Sequence, residues 1–153
     1  MTSQNHTFRP ATPADLPACT DIRNKTPDNP IPREVLESIG VTEESWGLKI
    51  DEGVYQGIVV EYDKTLVGYC FVDMETAEIL VLALLKGYEG RGLGKALLLQ
   101  GMEFLRVAGH QKLWLAAAPD PAMRAYHFYR HLGWKTTETF DANGDEILEY
   151  QWD

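Results

Sequence analysis

The feature that most constrains this chain is an apolar run that leads into a glycine-rich turn. Residues 79–85 are all apolar, as expected of a central strand that is buried on both faces. Gly90, Gly92 and Gly94 follow at alternate positions, and apolar residues at helical spacing come directly after them. Glycine lets backbone amides approach a phosphate closely, and a helix N-terminus favours negative charge. The segment therefore predicts a phosphate-binding turn between a central strand and a helix.

Two common phosphate-binding signatures do not match this turn. A Walker loop requires GxxxxGK[ST], but Glu89 stands five residues before Gly94 and Ala96 replaces the hydroxyl side chain that would bind magnesium. The dinucleotide fingerprint GxGxxG needs its third glycine at Lys95 or at Leu97. The spacing favours neither class, and a glycine-rich turn without a ligand stays open at this point.

The rest of the sequence alternates between strand and helix patterns. Thr12 is a suitable N-cap with Pro13 at the first helical position, and residues 24–32, with three prolines, are predicted to form a loop. Strands are predicted at 8–11, 57–62, 65–73, 77–85, 112–118, 134–140 and 146–152. Further helices are predicted at 33–39, 92–108 and 121–132. This order, β-α-α-β-β-β-α-β-α-β-β, indicates an α/β fold with a mixed central sheet.

Composition and charge narrow the class of protein. The 153 residues, 44% of them hydrophobic, suit a single domain over residues 1–153. A formal net charge of −9 would repel a phosphate backbone, so we expect no nucleic-acid binding and a mild preference for a cationic acceptor such as an amine. No apolar run reaches the ~18 residues of a membrane span and the N-terminus is polar, so we expect a cytoplasmic protein without membrane contact.

Three segments resemble the GNAT (Gcn5-related N-acetyltransferase) superfamily. The signature [Q/R]-x-x-G-x-[G/A] is similar to residues 89–94, A-x-x-[FL]-Y-x-x-x-G-[FW] to residues 125–134, and the family's opening segment to residues 7–16. Two positions depart from the pattern, because Glu89 replaces Gln or Arg and Ala122 replaces a common Asn. The resemblance covers about residues 7–152 and implies the single-domain GNAT fold, with helices on both faces of the sheet.

The resemblance also implies where acetyl-CoA would bind. The amides of the turn would hold the CoA pyrophosphate, with Arg91 and Lys95 supplying the positive charge that Glu89 does not. The strand before the turn would splay at a bulge near residues 82–84, and its free amides would pair with the pantetheine arm in a cleft between two parallel strands. No metal is required. The expected cofactor-binding residues are Leu82, Ala83, Leu84, Glu89, Gly90, Arg91, Gly92, Leu93, Gly94, Lys95, Tyr126 and Tyr129.

Two candidate proton carriers follow from the resemblance. Tyr129 matches the tyrosine that many members use to protonate the departing thiolate, with Tyr126 as a substitute and a purely packed aromatic as the alternative. Glu78 resembles the general base of the histone-acetylating branch, four residues before Leu82. A carboxylate that begins an apolar strand can have a raised pKa, although a solvated acid at a strand end, or Glu75 acting through water, stays open.

A metal site is not expected. His127 and His131 are spaced as in HExxH, but Phe128 stands where the glutamate is required. Cys19 and Cys70 have no metal-ligand spacing.

The expected function is transfer of an acetyl group from acetyl-CoA directly to a primary amine, with a small-molecule amine favoured. Trp46 and residues 26–32, including Asp28, fall where the family builds its acceptor pocket. Two alternatives stay open: a protein lysine or N-terminal acetyltransferase, and a non-catalytic acyl-CoA-binding domain. The departures at Glu89 and Ala122 favour the latter, whereas Tyr129 and Glu78 argue against it. Many family members are homodimers, but no interface can be identified in the sequence.

Overall fold

A mixed seven-stranded sheet organises the chain, of which the computed structural model describes residues 6–25 and 42–152. The strands are β1 (His6–Pro10), β2 (Tyr55–Tyr62), β3 (Thr65–Asp73), β4 (Glu78–Leu84), β5 (Lys112–Ala117), β6 (Lys135–Phe140) and β7 (Glu146–Gln151). The described helices are α1 (Leu16–Lys25), which follows a 3-10 turn at Pro13–Asp15, α2 (Glu43–Asp51), α3 (Leu93–Val107) and α4 (Arg124–His131). None of these helices is long and apolar enough to cross a membrane.

The order of strands in the sheet is β1-β2-β3-β4-β5-β7-β6. Every neighbouring pair is antiparallel except β4 and β5, which are parallel and share one register pair, Glu78 with Trp114. On its other edge β4 pairs with β3 along its length, but with one irregularity. Phe71 pairs with Val81 and Val72 with Ile79, which leaves Leu80 as an extra residue in β4. Such a bulge bends and twists a strand, and here it lies where β4 leaves β5.

Helices cover both faces of the sheet. Buried residues of α3 and α4, including Leu97, Met102 and Tyr129, pack on one face, and residues of α1, including Leu16 and Cys19, pack on the other. The α3 helix lies close to β3 because Gly101 has no side chain; a Cβ there would be 2.9 Å from the Cys70 sulfur. The predicted α/β fold is confirmed.

Several predicted elements differ from the structure in their bounds or their position. The helix predicted at 33–39 lies outside the described residues, whereas α2 was not predicted, although Thr42 caps it by accepting a hydrogen bond from the Ser45 amide at 3.0 Å. The loop predicted at 24–32 begins too early, because α1 continues to Lys25. The helix predicted at 121–132 begins only at Arg124, after a turn closed by the Asp120 side chain. The bulge expected near residues 82–84 lies at Leu80, because an unbroken apolar run gives no period that would locate an extra residue.

Candidate active site

A cavity of about 410 Å³ opens where β4 and β5 separate. Beyond the Glu78–Trp114 pair no ladder joins the two strands, so their facing edges present backbone N–H and C=O groups to this space. The wall also includes the glycine-rich turn and the beginnings of α3 and α4. The cavity brings together these predicted cofactor-binding residues: Leu82, Ala83, Leu84, Glu89, Gly90, Gly92, Leu93, Gly94, Lys95 and Tyr129.

Two glycines of the turn are required by its backbone conformation. Gly90 and Gly92 have φ values of +79° and +78°, in the left-handed region that disfavours side chains. A Cβ on either residue would meet no protein atom within 4 Å, so the space beside the turn is open. Gly92 is also the N-cap of α3 and has no side chain to cap the first amides of the helix. Those amides are available to an anion at the mouth of the cavity.

The structure explains the glutamate at position 89, where the family pattern has Gln or Arg. Its carboxylate accepts a hydrogen bond from the Gly87 N–H at 2.8 Å, within the turn itself. Its own backbone N–H, the Gly87 N–H and the charges of Arg124 and Lys86 outweigh partial burial and lower the pKa of Glu89. The side chain therefore stabilises the turn as an ionised carboxylate.

The cations near the turn are arranged differently from the prediction. Arg91 is not in the cavity wall; its guanidinium lies over the rings of Tyr88 and Tyr62, 5.2 and 5.8 Å from their centroids. Lys95 does line the cavity, and so does Arg124, which was not among the predicted cofactor-binding residues. Arg124 stands directly before the helical motif at residues 125–134, and this position was the available sequence signal for it.

The two candidate tyrosines occupy different environments. Tyr129 is buried, lines the cavity and packs edge-on against Phe128 and Trp134. Tyr126 does not line the cavity, and the Arg130 guanidinium lies 3.7 Å from its ring centroid. Of the two, Tyr129 is therefore the one placed to reach a group bound between the strands.

Glu78 lies at the beginning of β4, just before the strands separate. It is partly buried, outside the cavity wall, and paired in register with Asp73. Burial first, and then the negative charges of Asp73 and Asp141, raise the pKa of Glu78 to about 7. Such a carboxyl group can exchange a proton near neutral pH. Glu75 is exposed, and its backbone N–H donates to the Asp73 side chain at 2.9 Å.

Aromatic side chains lie beside this acidic group. Burial, followed by the charges of Asp73 and Glu78, raises the pKa of Tyr55. The Trp46 ring lies 5.0 Å from that of Tyr55. Trp46 was predicted to line an acceptor pocket, whereas Tyr55 was not predicted to do so. Asp28 and the rest of 26–32 lie outside the described residues.

His127 and His131, the pair with the spacing of HExxH, both lie on α4. The Nε2 atom of His127 lies 2.7 Å from the Pro121 carbonyl oxygen. Across residues 6–25 and 42–152, no group of three or more His, Cys, Asp and Glu side chains is arranged to hold a metal ion.

The raised pKa of Glu78 predicts a specific pH dependence of stability. Between the ordinary value of 4.5 and about 7 the folded chain binds more protons than the unfolded chain, so the free energy of unfolding falls as pH rises through that window. Glu78→Gln removes this loss, and its stability relative to wild type should increase from pH 5 to pH 8 in urea titrations. Asp63→Asn, at the opposite end of the β2–β3 pair, is the charge-matched control and should show no such trend. A pH-independent difference for Glu78→Gln would contradict the assignment.

Solved structures that share this fold include several acetyltransferases. PaiA N-acetyltransferase from Thermoplasma acidophilum, in complex with coenzyme A, is 21% identical with a TM-score of 0.80, over 99% of this chain and 100% of that chain. The YncA protein from Salmonella typhimurium, with its cofactor acetyl-CoA, is 19% identical with a TM-score of 0.70, over 97% and 95%. The ribosomal-protein-S18-alanine N-acetyltransferase from Escherichia coli is 20% identical with a TM-score of 0.69, over 95% and 93%.

Sequence comparison identifies the family directly. No curated protein matches the sequence at a significant level. The family model for GNAT acetyltransferases matches residues 16–134, which include the cavity and the glycine-rich turn. The chain therefore belongs to the GNAT acetyltransferase family.

Proposed function

We propose that this protein is an N-acetyltransferase that transfers an acetyl group from acetyl-CoA directly to a primary amine. The observation that carries the proposal is the continuity of one cavity from the Gly90–Gly94 turn to the open edges of β4 and β5. A pyrophosphate bound by the turn and the first amides of α3 would direct the pantetheine arm between the strands. The complexes of PaiA with coenzyme A and of YncA with acetyl-CoA support this ligand.

The cavity, together with Glu78 at the start of β4, supplies groups for the chemical step. Unpaired N–H groups on the edge of β4 can donate to the thioester carbonyl oxygen and stabilise the charge that develops there. The amine nitrogen attacks the carbonyl carbon and the C–S bond breaks. Tyr129 gives its proton to the departing thiolate and recovers one from solvent, while the proton lost by the amine passes through water to Glu78.

The acceptor we favour is a small cationic amine. Glu78 and Asp73 act through their charges on Tyr55, which packs against Trp46, and acids with aromatic rings suit an ammonium group. A protein N-terminus or lysine is the second candidate, because the same fold occurs in the ribosomal-protein-S18-alanine N-acetyltransferase. Amine-dependent release of free CoA would separate both from a non-catalytic acyl-CoA-binding domain.

Replacing Gly92 tests whether the turn binds the cofactor. Gly92→Ala places a methyl group in the open space beside the turn, so the Kd of acetyl-CoA should rise at least about tenfold, as expected for loss of a charge-assisted hydrogen bond. Gly109→Ala is the matched control, because Gly109 also has positive φ and open surroundings but lies outside the cavity wall. Calorimetric titration should show little change for the control. Equal affinity in both variants would place the phosphates elsewhere, and NADH or ATP binding as tightly as acetyl-CoA would reject the cofactor.

The proton carriers are tested by paired substitutions in a steady-state assay. Tyr129→Phe keeps the ring packing and should lower kcat by roughly 10²–10⁴-fold with little change in CoA affinity, whereas Tyr126→Phe should have a much smaller effect. Glu78→Gln should slow turnover mainly near neutral pH and recover at high pH, where solvent deprotonates the amine. A near-wild-type Tyr129→Phe enzyme would move the acid role to Tyr126 or water. If Glu78→Gln lowered the turnover rate equally at every pH, the Glu78 carboxylate would have a structural role and not that of a base.

A further inference from the structure

The turn carries a negative charge where a phosphate is proposed to bind. Glu89 lines the cavity, and backbone N–H groups of the turn hold its carboxylate in the ionised form. The family signature has Gln or Arg at this position. A carboxylate next to a pyrophosphate would weaken binding of the cofactor through charge repulsion. The site therefore needs positive charge that compensates for both the carboxylate and the pyrophosphate.

Arg124 is placed to supply that charge together with Lys95, which lines the same cavity. Arg91 is held over the rings of Tyr88 and Tyr62 and is not part of the cavity wall. Arg124, the first residue of α4, is exposed and lines the same cavity as Glu89. The positive charge of Arg124 acts on Glu89, whose carboxylate accepts its hydrogen bond from the backbone of the turn. The N–H donors of the Arg124 guanidinium therefore remain available to a ligand.

We propose that Arg124 binds the pyrophosphate of acetyl-CoA and that Glu89 positions the Arg124 guanidinium at the mouth of the cavity. The inference rests on the proposed function, since it assigns a residue to the same cofactor. A guanidinium has five N–H donors in a planar fork, so one face of the fork can meet the carboxylate while another binds phosphate oxygens. Residues 89 and 124 together thus replace the Gln or Arg of the family signature.

A double-mutant cycle tests the pair. Calorimetry would give the Kd of acetyl-CoA for wild type, Arg124→Ala, Glu89→Gln and the double variant, with Arg106→Ala as a charge-matched control at the far end of α3. Arg124→Ala should weaken binding about tenfold or more, and the control by less than about twofold. Glu89→Gln should change wild-type affinity little, but should restore about threefold or more in the Arg124→Ala background, because it removes an uncompensated charge.

The outcomes distinguish this inference from the proposed function. If wild type does not bind acetyl-CoA, the proposed function fails. If wild type binds and Arg124→Ala binds equally well, only the role of Arg124 is overturned. Additive effects in the cycle would overturn the positioning role of Glu89. The loss for Arg124→Ala should be the same with 3′-dephospho-CoA, which keeps the pyrophosphate, and a loss that disappears with this ligand would contradict the assignment to the pyrophosphate.

Discussion

The early end of the ladder between β4 and β5 is the constraint on which the site depends. The two strands meet at Glu78 and Trp114, where the Trp114 backbone N–H donates to the Ala77 carbonyl at 3.1 Å and its indole donates to the Thr76 carbonyl at 3.0 Å. Each strand is held independently on its other edge, β4 by β3 and β5 by β7 over six register pairs. The gap between β4 and β5 is therefore present in the folded chain before a ligand binds, and no ligand is needed to separate the two strands.

The sheet also separates the two proposed proton carriers. Tyr129 packs in the core cluster that contains α3 and α4 residues, whereas Glu78 pairs with Asp73, next to Phe71 and the α1-side cluster. A cofactor can thus lie on one side of the gap and an acceptor amine can approach from the other.

Much of the fold could be predicted from local sequence signals. Alternating apolar residues defined β2 and β3, and the long apolar run with its three glycines located β4, the turn and α3. Features set by pairing between distant segments were not predictable in this way. The bulge at Leu80 depends on the register with β3, and α2 has little apolar periodicity, so only its capping residues indicated it.

The candidate site was predictable where a residue's role follows from its backbone position. Gly90, Gly92 and Gly94, which their spacing singled out, lie in the cavity wall. The positions of charged side chains were less predictable, because a long side chain can pack against any of several neighbouring residues. Arg91 lies over Tyr88 of its own turn and Tyr62 of β2, and Arg124 reaches the site from α4. Neither arrangement could be inferred without the contacts between these segments.

Amide hydrogen exchange measured residue by residue by NMR tests the central claim, that the open edges of β4 and β5 bind the cofactor arm. Without ligand, some amides of 80–84 and 115–118 should exchange faster than those of 112–114, which are next to the point where the strands meet. Saturating acetyl-CoA should slow exchange in 80–84 and in the turn at 90–95. Protection confined to the turn, or protection at a different part of the sheet, would contradict the account.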